Sequence, residues 1–180
     1  MSLRDEALAA LSSWTAPSPD QEQLRVRFVA HLRGHEDAMQ RSCFPDHLTA
    51  GTLVLDATGE QVLLNLHRKA GRWFAFGGHC EDGDATLADV ALREAREESG
   101  VADLVFRAVP LQLDEHAVDF CDPRGTVRHL DVRYAALAPA DAAYGASEES
   151  LAVRWWPVDA LPELEQEMHD LIDLARRALV

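Results

Sequence analysis

Three glutamates share one helical pattern, because Glu97 and Glu98 follow Glu94 by three and four residues. Residues at these spacings lie on the same face of a helix, so the three carboxylates are expected to converge. They lie near the C-terminal end of that helix, where its dipole disfavours negative charge. Magnesium prefers oxygen ligands and is typically held by one or two carboxylates together with substrate phosphates. The spacing therefore predicts a site for a hard divalent cation.

Two neighbouring features support this hypothesis. Arg93 lies beside Glu94 and four residues before Glu97, so it can orient one carboxylate, and Asp89 is expected to pair with Arg93 across one turn. The pair Gly77–Gly78 lets the backbone approach a ligand closely, which makes the carbonyl of Gly78 a further candidate ligand. E-x-x-E-E alone is usually a solvated helix face. With the arginine and the glycines, a metal site is the better explanation.

The elements that must position these residues follow from the hydrophobic pattern. The pattern predicts helices over 3–14, from Pro19 to about Arg33, over 86–99 and over about 161–178, and strands over 50–56, 61–67, 73–76, 104–113, 129–138 and 151–157. Strands and helices alternate irregularly, which predicts an α/β fold with a mixed sheet flanked by helices. We expect an N-terminal helical extension over 1–45, packed on a main domain over 46–180.

Composition restricts the partners. The 180 residues carry a net charge of −14 and no cluster of lysine and arginine, so we expect no stable binding to duplex nucleic acid. A protein this acidic needs a cation to handle phosphates. No apolar run approaches the length of a membrane span, and the N-terminus lacks a secretory pattern. We therefore expect a cytoplasmic protein that does not bind membranes.

The three cysteines, Cys43, Cys80 and Cys121, are far apart in the chain. None belongs to a CxxC pattern or to a cysteine–histidine spacing typical of zinc sites. We interpret them as reduced thiols.

Candidate substrate contacts lie outside the glutamate motif. The strand HLDVRY alternates, with Leu130, Val132 and Tyr134 on one side and His129, Asp131 and Arg133 on the other. If the polar side lines a cleft, Arg133 can contact phosphate, and His129 or Asp131 can contact a polar substrate group. Ordinary exposed strand positions are the alternative.

Two more segments are candidates for the site. Arg68, at the end of the second strand, is a further candidate for contact with phosphate. The segment ASEES carries Glu149 and Glu148, either of which can serve as general base or extra ligand, and a solvated acidic loop is the alternative.

The segment Gly78–Val101 resembles the Nudix box, GX5EX7REUXEEXGU, where U is a bulky aliphatic residue. The stretch from Arg93 to Val101 matches the second half, with Ala95 at the first U position. Asp84 stands in place of the first glutamate, and eight residues instead of seven separate it from Arg93. We interpret this as a subfamily variant whose extra residue lies in the loop before the helix, with Thr86 as the N-cap.

The resemblance implies an α/β/α sandwich and a hydrolase that cleaves a diphosphate linkage in nucleoside diphosphate derivatives, using Mg²⁺ or Mn²⁺. It also implies that Glu94, Glu97 and Glu98 are the metal ligands and that Arg93 orients them. The expected partner is a phosphate-containing small molecule of nucleotide type. Family members are often dimers, and the resemblance leaves open whether this chain forms a homodimer.

Two other functions of the same fold remain open. An isopentenyl diphosphate isomerase-like enzyme would bring additional metal-binding histidines and a catalytic cysteine, and we predict no such histidine cluster in this chain. A non-catalytic module that senses a nucleotide metabolite would often lose the glutamates of the box, which this chain keeps.

Overall fold

The structure, a computed structural model, describes residues 1–148 and 150–180. The helices are α1 (Leu3–Ser13), α2 (Pro19–Gly34), α3 (Leu87–Ser99) and α4 (Gln166–Leu179). The strands are β1 (Asp46–Asp56), β2 (Gln61–His67), β3 (Trp73–Phe74), β4 (Phe76–His79), β5 (Val105–Asp122), β6 (Gly125–Ala138) and β7 (Ser150–Pro157).

Three strands are longer than the hydrophobic pattern predicts. Strand β1 begins at Asp46 rather than at residue 50, β6 begins at Gly125 rather than at residue 129, and β5 continues to Asp122 rather than ending at residue 113. The predicted strand over 73–76 divides into β3 and β4, and α4 begins at Gln166 rather than at residue 161. The extensions form because β1 and β5 each pair with β6, so that all three strands have backbone partners that sequence periodicity does not record.

The sheet has seven strands and is mixed, as predicted. Strand β1 runs parallel to β6 along one edge, whereas its other edge pairs antiparallel with β4 at Thr49–Thr52 and with β2 at Val54–Leu55. Strands β3 and β7 pair with β2, and β5 pairs with β6. Strand β1 therefore lies in the interior, and most of its residues are buried.

Helices cover both faces of the sheet. Helices α1, α2 and the first half of α3 pack on one face, against Leu48, Leu130 and Val132. Helix α4 packs on the other face, against Leu53 and Leu55. This confirms the predicted α/β sandwich, in which each apolar sheet face is buried by helices. Across residues 1–148 and 150–180, no helix has both the length and the apolar character needed to cross a membrane.

Strands β5 and β6 form a long hairpin. Asp122 pairs with Gly125, which leaves Pro123 and Arg124 as the connecting residues. Near this end of the hairpin, the ring of Phe120 stacks on His67 of β2 with centroids 5.6 Å apart. The hairpin therefore reaches across the sheet and brings the end of β5 close to β1, β2 and β4.

Candidate active site

Helix α3 is fixed at both ends and along one side. The hydroxyl of Thr86 accepts a hydrogen bond from the backbone N–H of Asp89, and Gly100 ends the helix with a left-handed φ of 72°. Leu87, Val90, Ala91 and Ala95 are buried against the sheet. The small side chain of Ala95, at the aliphatic position of the box, lies in a core cluster with Phe76 of β4.

Arg93 holds together the groups around the helix. Its guanidinium donates to Asp84 over 3.2 and 3.0 Å, to Glu94 over 2.9 Å and to Glu97 over 3.3 Å. It also donates to the backbone carbonyl of His79 over 2.9 Å. Hydrogen bonding to Asp84 is the main cause that raises the pKa of Arg93 above its ordinary value. We call Arg93 with Glu94, Glu97 and Glu98 the glutamate patch.

Asp84, the departure from the family pattern, is the main partner of Arg93. It lies in the loop before α3, as predicted, and also accepts the N–H of Glu81 over 2.8 Å. Burial raises the pKa of this carboxyl, but the hydrogen bonds from Arg93 and Glu81 lower it below its ordinary value overall. The predicted pairing of Asp89 with Arg93 is replaced by a contact with Thr86, whose hydroxyl donates to Asp89 over 2.8 Å.

Glu94 lies directly against the glycine pair of β4. A Cβ atom added to Gly78 would lie 2.6 Å from Oε1 of Glu94, so only glycine leaves room for this carboxylate. Glu94 is half-buried, and burial is the main reason that its pKa is raised above the ordinary value, in spite of the bond from Arg93.

Glu98 is buried beside the other glycine. Its side chain accepts the backbone N–H of Gly77 over 3.0 Å and lies 3.5 Å from the amide nitrogen of Asn65. Glu97 differs from the other two glutamates because 60% of its side chain is exposed. Two carboxylates are therefore seated on consecutive glycines, and the third faces solvent beside them.

The charges of this region fit a cation. Arg93 lies within 3.9 Å of four carboxylates, those of Glu81, Asp84, Glu94 and Glu97, so one positive charge faces four negative ones. The donor atoms are oxygens, which hard divalent ions prefer. A cation at this place would reduce the repulsion that remains.

Arg133 and Asp131 form a buried network on the α4 side of β6. Arg133 is 7% exposed and donates to Asp131 over 2.9 Å, to Gln112 over 3.1 Å and to Asp114 over 2.8 Å. Asp131 also accepts the hydroxyl of Thr49 over 3.0 Å. Because its donors are directed at protein oxygens, these partners favour a role for Arg133 in ordering the neighbouring side chains over direct contact with phosphate.

Arg68 is bound to the segment that carries the candidate general bases. It is exposed and donates to the carbonyls of Glu148 and Ser150 over 3.0 and 3.2 Å. Glu149, the predicted catalytic acid, lies outside the described residues. The described contacts connect Arg68 to the two chain neighbours of Glu149.

Three histidines and a cysteine lie close together in the structure. The sequence predicts no histidine cluster, and that prediction was wrong. Donor atoms of His47, His79, Cys121 and His129 all lie within 4.8 Å of one another, and we call this group the histidine–cysteine cluster. Burial, followed by the charges of neighbouring histidines, lowers the pKa of His79 to about 4 and that of His129 to about 2. The cluster gives His129 a different setting from the predicted substrate contact.

The fold and the glutamate patch together define a class of protein. A mixed sheet between helices, in which a glycine pair on one strand abuts a glutamate-bearing helix, is the arrangement expected of a Nudix domain. The family sequence model of the NUDIX domain matches residues 45–175. The chain therefore belongs to the Nudix family and is a hydrolase that acts on pyrophosphate bonds.

Individual relatives agree with this assignment. The chain is 33% identical over 116 residues to the oxidized purine nucleoside triphosphate hydrolase of Mus musculus, an alignment that covers 62% of this chain and 67% of the relative. A solved NUDIX hydrolase of Clostridium perfringens matches with a TM-score of 0.54 and 21% identity over 74% of this chain and 95% of its own. An Ap4A hydrolase of C. elegans matches with a TM-score of 0.55 and 17% identity over 73% and 96%. Both structures support the fold.

Proposed function

We propose that this chain hydrolyses a diphosphate linkage in a nucleotide-type small molecule with Mg²⁺ or Mn²⁺ bound by Glu94, Glu97 and Glu98. The carbonyl of Gly78 is the proposed additional ligand. When bound, the ion would neutralise the diphosphate and increase the nucleophilicity of bound water.

The observation that carries this proposal is the seating of Glu94 and Glu98 on consecutive glycines of β4. Carboxylates held by such contacts lose less conformational freedom when they bind an ion than unrestrained surface glutamates do. Arg93 holds Glu94 and Glu97 in place through charge-assisted hydrogen bonds. The protein thus supplies an ordered set of oxygens before substrate arrives.

The general base is proposed to be Glu149, with Glu148 and a glutamate of the box as alternatives. Arg68 orders the segment that carries both candidates, because it donates to the carbonyls of Glu148 and Ser150. A base must come within hydrogen-bond reach of the water that it deprotonates.

The substrate is proposed to lie beside Asp131. This carboxylate is 9% exposed and is held by Thr49 and Arg133, so it can accept a hydrogen bond from a polar substrate group. Arg68 is exposed, and we propose that it contacts phosphate through Nη1, the donor group that is not directed at the carbonyls of Glu148 and Ser150. The mouse relative named above favours purine nucleoside triphosphates as the first class to test.

The experiment is a panel of diphosphate compounds incubated with Mg²⁺ or Mn²⁺, with phosphate or pyrophosphate release as the measurement. The panel contains nucleoside triphosphates with an oxidised purine among them, nucleoside diphosphates, sugar nucleotides, dinucleotides and non-nucleotide diphosphates. We expect metal-dependent turnover of at least one class and a loss of more than about 100-fold in Glu98→Gln, because one ligand of the ion is neutralised.

Glu163→Gln is the matched control, because Glu163 is an exposed acid far along the chain from the box. It should retain the wild-type rate. Glu149→Gln should lose turnover more strongly than Glu148→Gln if Glu149 is the base. Equal turnover by wild type and Glu98→Gln, or full activity in excess EDTA, would refute the proposal.

A further inference from the structure

The histidine–cysteine cluster draws one side chain from each of four strands. His47 comes from β1, His79 from β4, Cys121 from β5 and His129 from β6. The three imidazole rings form a nearly regular triangle, with centroids 5.0 to 5.1 Å apart. Cys121 completes the group, with its sulfur 3.4 Å from Nε2 of His79.

The ring of His47 has the orientation that is common for a metal-bound histidine. Nδ1 of His47 lies 3.1 Å from the carbonyl of Cys43 and can only donate to it, which leaves Nε2 of His47 with a lone pair. That lone pair faces Nε2 of His79 over 3.1 Å. A histidine that binds a metal commonly donates its other N–H to a carbonyl or carboxylate, which fixes the tautomer and the ring.

A hydrogen bond between two neutral histidines explains only part of this arrangement. It accounts for His47 and His79, but Nε2 of His129 is buried and has no hydrogen-bond partner among the described residues. Buried polar atoms in folded proteins nearly always have a partner, and a bound ion is one recognised explanation for those without one among the protein's own groups. An ion at the centre of the cluster would give this nitrogen a partner and would also engage the thiol.

We propose that His47, His79, Cys121 and His129 bind one divalent transition metal ion of the zinc class. A tetrahedral site with bonds of about 2.0 Å to nitrogen and about 2.3 Å to sulfur places nitrogens about 3.3 Å apart and sulfur about 3.5 Å from nitrogen. Two observed separations are close to these values: 3.1 Å between the Nε2 atoms of His47 and His79, and 3.4 Å between the sulfur of Cys121 and Nε2 of His79. All the candidate ligand atoms lie within 4.8 Å of one another. Three nitrogens and one thiolate suit zinc, whereas the oxygens of the glutamate patch suit magnesium.

Such a site would be structural, because the protein supplies all four ligands and leaves no open position for water or substrate. It would fasten the end of the β5–β6 hairpin, through Cys121, to the centre of the sheet. It would also fix His79, whose carbonyl accepts a hydrogen bond from Arg93. The ion would thereby stabilise the backbone next to Gly78 without taking part in the reaction.

Cobalt titration tests the proposal. The protein is freed of metal by a chelator, dialysed and titrated with Co²⁺ in excess Mg²⁺, which occupies the oxygen site. We expect one tightly bound Co²⁺ per chain, with intense tetrahedral d–d bands and a sulfur-to-cobalt charge-transfer band, and displacement by one Zn²⁺. Cys121→Ser should lose the charge-transfer band, and His129→Gln should weaken Co²⁺ binding by more than about tenfold.

Two controls match the chemistry of these changes. Cys80→Ser alters the residue next to His79, and His35→Gln alters a histidine of a second, more exposed group, that of His35, Asp37 and Cys43. Both should keep the cobalt spectrum. X-ray absorption of the zinc-loaded wild type should show three nitrogens and one sulfur, which tests the proposal without a variant. A shell of oxygen and nitrogen only, or a charge-transfer band that survives in Cys121→Ser, would overturn it.

Discussion

The glutamate patch and the histidine–cysteine cluster meet at strand β4 but are built in different ways. The patch takes its glutamates from little more than one turn of α3, and a single arginine holds two of them. The cluster takes each of its members from a different strand. The first is a local product of helix geometry, whereas the second exists only when the sheet has its register.

The two regions also differ in the ion that they favour. The patch offers charged oxygens, and the cluster offers nitrogen and sulfur in a buried setting. Strand β4 serves both, because Gly78 makes room for Glu94 and the next residue, His79, directs its ring at His47. One short strand therefore orders two chemically distinct groups of side chains, and a further contact is needed to tie their backbones together.

Arg93 is that connection, and its replacement is expected to have the largest effect. Arg93→Met leaves the carboxylates of Asp84, Glu94 and Glu97 facing one another and removes a donor from the carbonyl of His79. We expect the free energy of unfolding without metal to fall by about 2–4 kcal/mol, since half-buried charges lose their partner. Turnover should fall by more than about 100-fold.

Denaturant unfolding and the hydrolysis assay measure these two effects. The matched control is Arg96→Met on the same helix, because Arg96 is exposed and donates only to the carbonyl of Ala102 among the described residues. Its unfolding free energy should change by less than about 1 kcal/mol. If Arg93→Met and Arg96→Met lose equal amounts of stability and turnover, Arg93 is not the connection between the two regions.

Gly78→Ala is expected to have an intermediate effect, confined to the patch. The added Cβ would lie 2.6 to 2.8 Å from the carboxylate atoms of Glu94, which is flexible enough to move away. We expect turnover to fall by about 10- to 100-fold through the displaced ligand, with a change in stability of less than about 1 kcal/mol. Cobalt binding at the histidine–cysteine cluster should persist, as the titration described above can show.

Gly34→Ala is the control for this change, because a Cβ atom at Gly34 would meet nothing within 4 Å. Both variants should give the same cobalt spectrum, and only Gly78→Ala should lose turnover. A Gly78→Ala protein with the wild-type rate would show that the position of Glu94 is unimportant to the reaction.

The helix that carries the glutamate patch could be predicted from the sequence almost completely. The helix predicted over 86–99 is observed as Leu87–Ser99, with Thr86 and Gly100 as its caps. These features depend on residues a few positions apart, which periodicity and capping rules describe well. The partner of Arg93 was harder to predict, because Asp84 lies in the loop before α3, where the spacing rules of a helix do not apply.

The cluster could not be predicted because two of its members lie on the unpredicted parts of strands. His47 lies in the part of β1 before residue 50, and Cys121 lies in the part of β5 beyond residue 113. The parallel pairing of His47 with His129 requires the register of β1 on β6, which is a tertiary property. One signal was present, since Pro123, Arg124 and Gly125 follow Asp122 in a sequence typical of a hairpin turn.

Thr49→Val should have the smallest effect of these replacements. It tests whether the patch and the cluster are also coupled through β1. Thr49 lies between the two regions, since it pairs with His79 across the sheet and its hydroxyl donates to Asp131 over 3.0 Å. Valine fills the same volume, so the variant removes one buried hydrogen bond to a carboxylate and should cost about 1–2 kcal/mol of unfolding free energy. Thr58→Val, which removes an exposed bond to Asp56, should cost less.

If the patch and the cluster are linked only through β4 and Arg93, then Thr49→Val should leave both Mg²⁺-dependent turnover and cobalt binding within about threefold of wild type. A larger loss of both would mean that the coupling also runs through β1.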